Sequence, residues 1–174
     1  SLGHSLLIGK YNGLRPWGIS IGQTNLLSGL NDASTASFSS VSIKIAPFAS
    51  LFNWKPVLII NPQDTNITLR PGDSGVYWSV GPAGSKAPPK IDLRVRLEDP
   101  ARLIFETKNL EVIASGDAFF KLDTKKIGGS ILLAFSDQGS LKLSGRGSLK
   151  ELDFNTKASF DKLNLKSFNG IFDT

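Results

Sequence analysis

From Ile91 to Glu98 the chain reads Ile-Asp-Leu-Arg-Val-Arg-Leu-Glu, apolar and charged residues in strict alternation. Successive side chains of an extended strand point to opposite faces, so this run fixes one apolar face and one polar face. The same period recurs at Trp17, Ile19, Ile21; at Val41, Ile43, Ile45; and at Leu110, Val112, Ala114. It returns at Ile131, Leu133, Phe135; at Leu141, Leu143; at Leu152, Phe154; and at Leu163, Leu165. Helical spacing is scarce. Pro47 suits a first helical position, and Phe48, Leu51 and Phe52 follow at i, i+3 and i+4, which predicts one or two turns with a single apolar side. A second short helix is predicted over Asn25 to Leu30. The predicted fold class is mainly β, a curled antiparallel sheet with one or two short helices.

Turn residues divide the strands. Arg70 to Gly75, Arg-Pro-Gly-Asp-Ser-Gly, predicts a hairpin between Asn66–Arg70 and Val76–Val80. Gly81 to Lys90 has no large apolar side chain and forms the best internal boundary. Residues 1–80 before it are heterogeneous and carry the helix near 47–52. Residues 91–174 after it are monotonous, with Gly128-Gly129 and Gly145-Arg146-Gly147 between short strands at a spacing of about 8–12 residues.

Chemistry is hard to place on this chain. It has no Cys and a single His, His4, so thiolate metal sites, Cys nucleophiles and a His-rich ligand set have no residues to build from. No nucleophile elbow occurs, and the carboxylates sit on polar strand faces or in turns. The reading is of a non-enzyme without cofactor or metal. Asn66-Ile67-Thr68 fits the glycosylation sequon but lies in a predicted strand. The net charge of +5 is dispersed: residues 1–85 hold five Lys/Arg against three Asp/Glu, and residues 86–174 hold fifteen against twelve. Interspersed signs read as the wet face of strands rather than as a nucleic-acid stripe. No run approaches the roughly 18 apolar residues of a membrane-spanning helix. With no Met in the sequence, Ser1 reads as the edge of a piece of a longer chain.

What remains is apolar sheet surface with almost no helix to cover it. A one-sided sheet must bury that face against another layer. It folds back as a sandwich or barrel, or it curls into a trough that holds an apolar ligand. Periodicity alone is equally compatible with both.

The segment Val41 to Trp78 combines an alternating strand, a Pro-led apolar turn, an apolar strand and a short strand. A Gly/Asp turn and Gly75-Val76-Tyr77-Trp78 complete it. In that order it resembles the N-terminal region of the AsmA/TamB superfamily. Gly18 to Gly22 fits the strand that precedes it there, and Gly145 to Gly170 is similar to the family's Gly-led strands. The Phe, Ser and Asn content resembles cyanobacterial and plastid TamB-like proteins. The resemblance implies a sheet folded lengthwise into an apolar groove, a β-taco, in the periplasm or the chloroplast intermembrane space. It implies a parent anchored in the inner membrane through a helix outside this piece. It also implies conduction of phospholipid acyl chains toward the outer membrane, support of β-barrel assembly there, and a partner barrel of the Omp85 type reached through the missing C-terminal part.

On this reading the groove is lined by Ile91, Leu93, Val95, Leu97, Leu103, Phe105, Ile131, Leu133, Phe135, Leu141, Leu143, Phe154 and Phe160. Phe48, Leu51 and Phe52 are expected to fold back as a cap over its end. Seven strands at about 4.8 Å advance about 35 Å, too little to join two membranes. The alternative is a β-sandwich interaction or carbohydrate-binding module with the same residues as core and Trp17, Trp54 and Trp78 exposed. A piece of an outer-membrane barrel is a third reading.

Overall fold

The computed structural model describes residues 4–29, 33–72, 75, 89–136, 139–151 and 153–162. The expected strands at Val76–Val80 and Leu163–Leu165, and most of the 81–90 boundary, lie outside them.

Among the described residues thirteen strands form one open, curled sheet. The first group is β1 (His4–Leu7), β2 (Tyr11–Arg15), β3 (Gly18–Ile21), β4 (Thr24–Gly29), β5 (Thr35–Phe38), β6 (Ser40–Ile45), β7 (Val57–Gln63) and β8 (Asn66–Leu69). The helix α1 (Pro47–Asn53) joins β6 to β7. The longer second group is β9 (Asp92–Phe105), β10 (Leu110–Lys121), β11 (Lys126–Phe135), β12 (Ser140–Ser148) and β13 (Asp153–Asp161). Mainly β with a curled sheet is thus the architecture.

The first eight strands are four strand positions, each broken once near its middle. β1 and β2 part at residues 8–10, β3 and β4 at Gly22-Gln23, β5 and β6 at Ser39, and β7 and β8 at Asp64-Thr65. Both β7 and β8 pair in parallel with β9: Ile60 faces Val95 and Asn66 faces Arg102. All other pairings are antiparallel. β9 crosses the same line with a bulge: Leu97 faces Gly116 and Ala101 faces Ala114, so Glu98, Asp99 and Pro100 stand opposite the lone Ser115. Pro100 is tolerated inside the strand because the bulge asks for no ladder donor there. A crease therefore runs across the strands through Gly22, Ser39, Asp64, Asp99 and Gly116.

Backbone groups freed at the crease find local partners, as buried amides must. Gly22 N donates to Lys10 O at 2.7 Å, Ser39 N to Gln63 O at 3.0 Å, and Arg102 N to Thr65 O at 2.7 Å. Asn61 Nδ2 donates to Glu98 Oε1 at 2.7 Å, and Ser39 Oγ to Asp64 Oδ2 at 2.7 Å. Asp64 takes a positive φ of 45°, a conformation Asp tolerates better than most residues.

The helix expected over Asn25 to Leu30 does not form in the described part of that segment; Thr24–Gly29 is β4. Leu26 faces both Leu6 and Ala36, and Ser28-Gly29 offers little intrinsic helix preference, so sheet pairing decides the segment. The predicted helix at Pro47 forms as α1, entered from extended Ala46 and ended by Trp54 in the left-handed region. Its expected role fails. Phe48, Leu51 and Phe52 do not cap the groove; all three are exposed, and the helix buries no residue. The helix is tied to the sheet through its other side: Val57 N donates to Ser50 Oγ at 2.9 Å and Ala46 N to Val57 O at 2.9 Å. The i, i+3, i+4 triplet gathers on one side as its spacing demands, and that side is turned to solvent.

Candidate functional site: the apolar face of the sheet

Directly paired residues share a face, so the register alone assigns the faces. One row runs Leu6, Leu26, Ala36, Ile67, Leu103, Val112 and Phe135 across β1, β4, β5, β8, β9, β10 and β11. A second runs Leu14, Ile19, Ile43, Ile60, Val95 and Ala118, then Gly129, Gly145 and Thr156. Both lie on the same side of β9, because the bulge shifts its register by two residues and preserves the alternation. The opposite side carries the charged residues; one of its rows is Arg96, Asp117, Ser130, Ser144 and Lys157, though Ile104, Ile113, Phe119 and Leu132 also lie on it.

Leu93, Val95, Leu97, Leu103, Phe105, Ile131, Leu133, Phe135, Leu141, Leu143, Phe154 and Phe160 all fall on this apolar face. Ile91 does not join them: it precedes β9, and its carbonyl accepts a hydrogen bond from Leu122 N at 3.2 Å. The alternation of the sequence continues through Ile91, but the ladder starts one residue later, at Asp92 opposite both Val57 and Lys121.

Few apolar side chains are sealed from water. Those buried are Ala36, Val57, Ala101, Val112, Ala114 and Phe135, and all but Val57 lie on the apolar face of β5, β9, β10 and β11. Toward β13 the face opens, and Phe154 and Phe160 are exposed. There a cavity of about 210 Å³ lies over β10 to β13, walled by Phe120, Ile127, Ile131, Leu143 and Phe154 and floored by Gly129, Gly145 and Gly147. The glycine floor was missed by sequence reasoning, which read Gly145-Arg146-Gly147 as a turn; these residues sit inside β12. Gly147 faces Phe154, and a Cβ there would meet the ring at 2.3 Å, so glycine is what lets the aromatic lie flat on the sheet. The cavity has room for a few methylene groups, and apart from Ser144, Arg146 and Thr156 its lining is apolar or glycine.

Charges are kept at the margins of this face. Lys55, just after α1, reaches Asp92 Oδ1 at 2.7 Å and Asp123 Oδ2 at 3.0 Å, tying β7, β9 and the β10–β11 turn together. Its bond to Asp92 holds the ammonium above its ordinary value, and the bond from Lys55 holds the Asp123 carboxyl below its own. At the other end Arg70 pairs with Glu106, and Arg102 Nε with Glu111 Oε1 at 2.6 Å.

Lys55→Met keeps the aliphatic stem but leaves the buried Asp92 without its cation, and is expected to cost about 2 kcal/mol at neutral pH. Because Asp123 is depressed, its share of the pairing is complete above the unfolded carboxylate value of about 4 and drains as pH falls through the lower, folded value. The share of Lys55, which is raised, is lost only as pH climbs through a value above 10.5. Urea unfolding of both proteins should show the gap at pH 7 and a smaller one at pH 3; an unchanged gap refutes the assignment.

Among the described residues no group of three or more His, Cys, Asp or Glu could hold a metal ion, and no helix is long and apolar enough to cross a membrane. No protein-family model, curated protein or solved structure matches the chain.

Proposed function

We propose that the apolar face is a carrier surface for acyl chains, and that the chain is a groove segment of a protein that conducts phospholipid. The observation that carries this reading is the continuity of the apolar rows from β1 and β2 to β13 with the ions confined to the rims and the opposite face. An apolar trough binds chains by area removed from water and needs no hydrogen-bonding group for it. The wider setting implied by the AsmA/TamB resemblance belongs to the same proposal. It comprises a periplasmic or intermembrane location, an anchored parent, transfer toward an outer membrane and support of barrel assembly there.

The alternatives meet the geometry less well. A β-sandwich of this length seals a large core, whereas here most apolar residues of the face remain half-buried or exposed. Trp17 and Trp54 are exposed, as a carbohydrate module requires, but Trp54 ends the helix that exposes Phe48, Leu51 and Phe52, and Trp17 O accepts from Ile45 N just before it. A membrane barrel needs closure, and among the described residues this sheet keeps two free edges, one at β13.

The test is direct. Chain purified without detergent and analysed by native mass spectrometry and lipid extraction should carry phospholipid or fatty acid in measurable stoichiometry. It should also bind a fluorescent fatty acid in solution. A lipid-free chain that takes up no such probe sinks the proposal.

A further inference from the structure

The two rims of the sheet differ. One rim gathers the β2–β3 turn, α1 and the starts of β7 and β9: Gly18 faces Lys44, Ile45 faces Leu58, and Val57 faces Asp92. On it stand five large apolar side chains with almost nothing over them: Trp17 is 69% exposed, Phe48 78%, Leu51 65%, Phe52 82% and Trp54 91%. The two tryptophans occupy left-handed turn positions, φ 65° and 52°, which set them at the tips of their loops. The helix between them has no acidic residue in its first turn and no basic one in its last. Folded chains of this size seldom leave such a patch bare unless something docks on it.

What docks is indicated by charge and composition. From His4 to Gln63 the described residues include Lys10, Arg15, Lys44 and Lys55 and no Asp or Glu. Arg15 lies one residue from the Pro16-Trp17 turn, and Lys44 pairs across from Gly18 just beyond that turn. Lys55 is held by Asp92 and Asp123, so Arg15 and Lys44 are the cations this part of the rim offers a partner. Such cations next to Phe, Leu and two Trp are what an anionic bilayer interface selects. Aliphatic and Phe side chains enter the acyl boundary, indole sits at the headgroups, and Lys or Arg meets the phosphates. The patch is also continuous with the carrier face, because Ile45 ends the apolar row of β6 and leads through Ala46 into α1.

We propose that this rim docks on an anionic phospholipid bilayer, with Phe48, Leu51, Phe52, Trp17 and Trp54 inserted at the interface. Docking places the apolar face end-on to the membrane, so acyl chains leave or enter the bilayer over Ile45 rather than through water. That second statement rests on the carrier reading; the docking itself does not.

Sedimentation with vesicles of phosphatidylcholine containing one-quarter phosphatidylglycerol tests the docking, with phosphatidylcholine vesicles in parallel. The wild-type chain should bind the anionic vesicles with a blue shift of tryptophan emission, bind the neutral ones more weakly, and release as salt is raised. Phe48→Ser with Phe52→Ser should weaken binding about tenfold or more. These side chains bury nothing, so the melting temperature and the solution affinity for a fluorescent fatty acid should stay as they were. Trp54→Gly suits the left-handed φ of that position, so it serves as a second variant and should reduce binding and the blue shift. Wild-type chain that stays in the supernatant, or variants that sediment as well as wild type, overturn the docking. Chain that sediments but takes up no fatty acid in solution leaves the docking standing and removes the carrier reading alone.

Discussion

Gly116→Val is expected to destabilise the chain by about 3 kcal/mol, which lowers the melting temperature by roughly 6–12 °C for a chain of this size. Gly116 lies where β10 meets the crease, opposite Leu97 at the edge of the β9 bulge, and its φ is 133°. A Cβ at that position would sit 2.1 Å from Ser130 O and 3.0 Å from Ile131 Cα. Both are backbone atoms of β11, so no rotamer change relieves the contact and β10 must part from β11. The positive φ adds strain that a β-branched residue cannot relax. Thermal unfolding and urea titration measure the effect. The substitution Ala118→Val, two residues along the same strand, is the control: Ala118 is half-buried, and its φ is not positive. A Gly116→Val chain that melts within a degree of wild type would show that the bend at this line is not needed for the fold.

The crease is also what the sequence concealed. Alternation is a local property, and it correctly placed Leu93, Val95 and Leu97 with Ile131, Leu133 and Phe135 on one face, because each register shift that intervenes is even. Nothing local distinguishes a strand that bends from one that ends. Gly22-Gln23, Ser39 and Asp64-Thr65 are each a break inside one strand position whose continuation pairs with the same neighbouring positions. The strict alternation that starts at Ile91 stops at Glu98, yet β9 runs on through Asp99 and Pro100 for 14 residues in all. Parallel pairing of β7 and β8 with β9 joins residues far apart in sequence, and short-range pattern carries no signal for it. The α1 triplet illustrates the complementary limit. Its spacing told which side chains stand together but not which way they look, since Ser50 and Ala46 rather than the Phe residues hold the helix to β7.

Ile131→Glu combined with Leu143→Glu is expected to weaken binding of a fluorescent fatty acid about a hundredfold. The two residues face each other across β11 and β12 and line the cavity over β10 to β13. In the free chain both sites are open enough for a carboxylate to stay hydrated, as Ile131 is exposed and Leu143 half-buried. Like charges directly opposite on neighbouring strands destabilise the pair modestly, so the fold should survive with a small loss in melting temperature. An acyl chain laid across them strips that hydration from two carboxylates, a cost of several kcal/mol that its own burial does not offset. Ala134→Glu with Ser140→Glu places the same charges on the same two strands, again directly opposite, but on the other face and away from the cavity. That second pair should leave fatty-acid binding unchanged. Equal losses from the two pairs would mean that binding responds to charge or stability rather than to the apolar face. No loss from Ile131→Glu with Leu143→Glu would place the acyl chain somewhere other than over β10 to β13.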